Sequence, residues 1–183
     1  MSSDRVDAAM FCIQALGRSK EDQVIEGTRE LYALIYNMWK VLREEFGPEE
    51  GNHQYGKIWT SLIERSFQRA KAALGIKEIK DMVTLGRIRK YISQSYPALY
   101  TVIEEDEFKH FAQITWCPNA AFSPPDKFLE KLAYFKYEAE LTQKIYKQIV
   151  EMAGLSQEVE AKLGKALCLG EGMCELFFEK KQG

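Results

Sequence analysis

With 183 residues, 46% of them hydrophobic, the chain is long enough to build one core without disulfide or metal staples. Only two histidines, His53 and His110, are present, which excludes a three-histidine metal site, and 25 basic against 27 acidic residues leave no basic stripe for nucleic acid. No apolar run approaches the roughly 20 residues of a bilayer span, and the opening Met-Ser-Ser-Asp-Arg lacks a signal peptide's apolar stretch. A cytoplasmic protein with no membrane partner is expected, its four cysteines held as thiols.

Val6, Met10, Ile13 and Leu16 recur at helical spacing and predict a short first helix from Asp4 to Leu16, closed by Gly17, with Cys12 in its core. Ser19 and Asp22 form a capping pair that opens a long helix through Leu31, Ile35, Met38, Leu42 and Phe46, ended by Gly47-Pro48. The polar stretch Gly51 to Gly56 reads as a linker carrying an exposed His53. A third helix follows from Trp59 to Leu74. From Lys77 to Tyr96 the pattern weakens around Gly86, giving two short helical pieces or one bent helix.

After Pro97 the period changes, and Leu99–Ile103 and Phe108–Cys117, rich in β-branched and aromatic residues, predict a hairpin around an acidic turn, Glu104 to Glu107. The clearest helix runs from Phe128 to Ala153, opened by Ser123-Pro124-Pro125. A short acidic helix is expected over Gln157 to Leu163, then a glycine-punctuated segment leading to a terminal strand, Cys174 to Phe178. The result is a single mostly helical α+β domain over 1–183, with a helical part (1–96) and a part holding the hairpin, the long helix and the final strand (97–183).

There is no Rossmann or Walker glycine fingerprint, no GxSxG, no HExxH and no CxxC. The final strand can return beside the hairpin and bring Cys117 toward Cys168 and Cys174. A thiol there acts as nucleophile or ligand only if a cation, a histidine or a helix start lowers its pKa. His110 is the candidate partner, although strict alternation puts it on the face opposite Cys117. No cofactor is predicted. Zinc held by Cys117, Cys168, Cys174 and a histidine is chemically permissible, against an unusual Cys-x5-Cys spacing. The plainer alternative is packed, inert thiols.

Trp59 and Trp116 are candidates for the wall of an apolar ligand pocket, and Arg87 and Arg89 for a carboxylate clamp within it. The long aromatic helices leave an apolar face over, which would favour a homodimer.

Trp39 to Gly47, the helix from Trp59 to Gly75, the strand ending Trp116-Cys117-Pro118 and the closing run Gly170 to Phe178 together resemble the L-2-amino-thiazoline-4-carboxylic acid hydrolase-like family. A further similarity is to vinyl-reductase-like small-ligand sensor domains, which also finish with a glycine turn and a cysteine-bearing strand. The first resemblance implies hydrolytic opening of a cyclic amidine-like ring. Cys117 or Cys174 would then be the nucleophile, His110 or Glu171 the acid/base group and an arginine the clamp. The second implies a module that binds or senses a small molecule without turning it over.

Overall fold

The computed structural model describes residues 19–94, 96, 98–122 and 128–181; the expected first helix, Cys12, Pro97 and Ser123-Pro124-Pro125 lie outside them. Helix α1 (Lys20–Phe46) starts at the Ser19–Asp22 capping box and ends at Gly47, whose φ of 83° suits a residue without a side chain. Helix α2 (Pro48–Ala73) begins one residue later with proline in its first turn. The expected linker Gly51 to Gly56 is therefore helix. Its glycines serve close packing: a β-carbon on Gly51 would lie 2.5 Å from Arg43 Cα, and one on Gly56 would lie 2.9 Å from the Tyr137 hydroxyl. Tyr55 between them is wholly buried, whereas His53 is exposed.

Helix α3 is one piece (Met82–Gln94), with Gly86 buried in its interior. Strands β1 (Leu99–Glu105) and β2 (Lys109–Trp116) form the expected hairpin, with the turn shortened because Glu104 and Glu105 are paired within β1. After the short helix α4 (Pro118–Phe122) comes α5 (Phe128–Met152). The segment expected as an acidic helix is instead strand β3 (Val159–Leu163). Its burial alternates, with Val159 and Ala161 inward and Glu160 and Lys162 outward, which is the period of a strand. The chain ends in β4 (Cys174–Lys180) after one 3₁₀ turn at Leu167–Leu169.

The four strands make one antiparallel sheet in the order β1-β2-β4-β3. The fold class is the expected one, a mostly helical α+β arrangement with a small antiparallel sheet. On the inner face of the sheet His110 stands opposite Phe178, Ala112 opposite Leu176, and Ile114 opposite Cys174. Two apolar clusters hold the molecule. One joins α2, α3, α5, β3 and β4 through Phe67, Leu85, Ile88, Ile149, Ala161 and Leu176. The other is aromatic and joins α1, α2 and α5 through Trp39, Tyr55 and Tyr134. Outside, Leu31, Leu34, Val41 and Phe46 of α1 and Ile58 and Leu62 of α2 remain exposed. No helix among the described residues is long and apolar enough to cross a membrane.

Candidate functional site

Between the two clusters lies a cavity of about 200 Å³. Helix α5 supplies one wall, through Glu138, Leu141, Thr142, Ile145, Tyr146 and Ile149, positions that recur every three or four residues and so share one face. Trp59 and Ile63 come from α2, Arg89 and Ile92 from α3, and Tyr100 and Ile114 from the sheet. Cys117, Cys168 and Cys174 also line it, so the convergence of these cysteine segments expected from the chain order does occur.

The polar groups of this apolar space are concentrated on two walls. On one, the Arg89 guanidinium is buried and donates through Nε to the Tyr146 hydroxyl at 2.7 Å, with further bonds from its terminal nitrogens to Tyr146 and to Ser93 Oγ. Its carbon stands 4.7 Å from the ring centre of Tyr146 and 5.3 Å from that of Tyr100. No carboxylate is paired with it among the described residues. These contacts orient the cation and leave its charge uncompensated.

On the other wall Glu138 accepts from the Tyr55 hydroxyl and from Asn119 Nδ2, each at 2.8 Å. Tyr134 in turn donates to Asn119 Oδ1 at 2.9 Å. Burial pushes the Glu138 carboxyl up to about 7, against the hydrogen bonds of Tyr55, Asn119 and Tyr134 that favour its charged form. The indole N–H of Trp59 is buried with no hydrogen-bond partner among the described residues.

The thiols are electrostatically quiet. Burial raises Cys117, offset in part by backbone N–H groups of Ala120 and Asn119, and raises Cys174 likewise against the Leu167 N–H. Cys168 is pushed up to about 12, again by burial first. None has histidine beside it. His110 is four residues along β2 from Ile114, the residue opposite Cys174, which is about 14 Å at strand spacing. Among the described residues no group of three or more His, Cys, Asp or Glu side chains could hold a metal ion.

His110 is 1% exposed and has its own partners, Glu105 Oε1 at 3.0 Å from Nδ1 and the Tyr100 hydroxyl at 2.8 Å from Nε2. A register shift between Val102 and Glu104 makes this possible, because the extra residue sets Glu105 rather than Glu104 opposite His110. Tyr100 thereby connects the His110–Glu105 pair to the cavity wall.

Other candidates stand apart from the cavity. Arg87 is exposed on α3, two residues from Arg89 and therefore on another face. Trp116 is 36% exposed and packs edge-on against Phe122. The Glu171 carboxylate accepts from the Ala166 N–H at 2.7 Å and so braces the loop before β4. Trp59 and Arg89 do reach the cavity.

Glu138 and Tyr100 were not evident as site residues from the chain alone. Glu138 had a usable signal, since a carboxylate three residues before Leu141 and four before Thr142 interrupts an otherwise inward helix face.

No family model matches the chain, and no curated protein matches it. Among solved structures, its fold is similar to that of a trafficking protein particle complex subunit 3 from Naegleria fowleri, solved covalently bound to palmitic acid. The TM-score is 0.53 at 16% identity, over 86% of this chain and 97% of that one. At that identity the likeness is one of fold.

Proposed function

We propose that this protein is a small-molecule-binding module whose ligand carries a carboxylate on a compact apolar body. The observation that carries this reading is Arg89, a buried cation with no carboxylate partner among the described residues, at the wall of an apolar cavity. An unpaired buried charge is costly, and an entering anion would remove most of that cost. Size sharpens the class. An apolar cavity of about 150 Å³ holds benzene, so about 200 Å³ suits one substituted ring or a short branched chain. The structural neighbour's palmitic acid suggests an acyl group as the apolar body, and by the same comparison a group shorter than palmitate is favoured here.

The ring-opening hydrolase reading draws on the same cavity but needs a thiolate and a nearby acid/base group. Raised thiols with His110 about 14 Å from Cys174 weigh toward binding without turnover.

The test is calorimetric titration with benzoate and with benzyl alcohol. Benzoate is expected to bind at least about tenfold more tightly, the scale of one charge-assisted hydrogen bond, and Arg89→Met to remove that preference. Equal affinity for acid and alcohol, or an unaltered preference in Arg89→Met, would overturn the reading.

A further inference from the structure

Resting on Arg89 as the carboxylate anchor, we propose that Tyr100 is a second donor to the same carboxylate, freed for that role by protonation of His110. Capture of the anion then takes up one proton.

The hydrogen-bond directions dictate the coupling. Glu105 Oε1 is 3.0 Å from His110 Nδ1 and can only accept there, so the imidazole proton sits on Nδ1. Nε2 is then bare and accepts from the Tyr100 hydroxyl at 2.8 Å. A phenol has one proton, and in the empty site it is committed to His110. If a solvent proton arrives on Nε2, that nitrogen becomes the donor, the Tyr100 oxygen accepts, and the hydroxyl proton turns toward the cavity that Tyr100 lines. No covalent bond of the protein breaks. The balance of charge is also kept: ligand anion and imidazolium enter together, beside Arg89 and Glu105, and the buried sum does not change.

Every element around His110 is accounted for in this exchange. Strand β1 presents Tyr100 and Glu105, α3 presents Gly86 and the Arg89 charge, and β4 presents the uncharged Phe178 ring at 6.0 Å. Burial and the Arg89 charge hold the empty-site imidazole below its ordinary value, against the pull of Glu105. A carboxylate on Arg89 cancels part of the second effect, so the folded site gains basicity when occupied.

The experiment is titration of the full chain with benzoate across pH 6 to 8.5, in phosphate and in Tris, whose different ionisation heats report protons exchanged. Proton uptake approaching one is expected, with affinity falling about tenfold per pH unit across the window between the empty-site and occupied-site His110 values. His110→Gln should lose most of this uptake and flatten the profile, leaving only the exchange contributed by Glu138, which lines the same cavity and is raised to about 7. Tyr100→Phe should lose about tenfold or more in affinity together with the uptake, and Glu105→Gln, which leaves both rings in place, should reduce the uptake. Benzoate binding without proton uptake, or uptake undiminished in His110→Gln, overturns the coupling while leaving the anchor intact. Absence of any Arg89-dependent binding overturns the anchor and the coupling with it.

Discussion

Gly86 of α3 and His110 of β2 fit together only because the glycine has no side chain: a β-carbon there would lie 2.6 Å from His110 Nδ1. The glycine that weakens the helical pattern in the sequence thus makes room for the imidazole and its Glu105 partner.

Gly86→Ala should therefore displace Glu105 from His110. Alanine gains about 1 kcal/mol of helix propensity, and overpacking costs about 1–3 kcal/mol, so a net loss of about 1 kcal/mol in urea unfolding is expected. The decisive readout is the ¹⁵N spectrum of the imidazole, in which the Nδ1–H form should give way to a mixture. A variant stabilised by the full propensity gain, with the tautomer unchanged, would contradict the close approach.

Glu138 predicts a pH dependence of stability. Its folded value is raised to about 7 from the ordinary 4.5, so in this window the unfolded chain binds fewer protons than the folded one. Stability then falls as pH rises between these two values and levels off above the upper one. The total loss is at most about 3 kcal/mol at about 1.36 kcal/mol per unit. Glu138→Gln should flatten this decline between pH 5 and 7.5 in denaturant titrations. An equally steep decline in the variant would assign it to other groups.

The cavity thiols should be sluggish. With Cys168 raised to about 12, its thiolate fraction at neutral pH is on the order of a thousand times lower than that of a free cysteine. Iodoacetamide labelling read by peptide mass should find Cys117, Cys168 and Cys174 slow at pH 7, with benzoate slowing them further. Rapid labelling of Cys117 or Cys174 would instead favour the nucleophile of the hydrolase reading, and Cys117→Ala and Cys174→Ala would then be the variants to assay for turnover.

The elements legible in the sequence were those whose period is set by a single buried face. The α1 cap, the hairpin, α5 and the terminal strand are of this kind. Gly51 and Gly56 misled because their purpose is contact with Arg43 and Tyr137, which are distant in the chain, and no local pattern carries that information. Gln157 to Leu163 misled because five residues of strand, two of them charged, differ little in composition from a helical turn. In the site, Arg89 and the cysteines could be suspected from residue type. Tyr100 could not, since its role depends on a register shift near Ile103 that sets the neighbour of His110.

That register shift has one more effect. β1 is an outer strand of the sheet, where unpaired backbone groups invite a second chain to add on. An inserted residue breaks the regular ladder of such a rim, and Glu104 and Glu105 add charge to it. The same irregularity that sets the register at His110 thus guards the sheet against strand-to-strand aggregation, and removing Ile103 would straighten β1, leaving Glu105 opposite His110 but exposing a stickier rim.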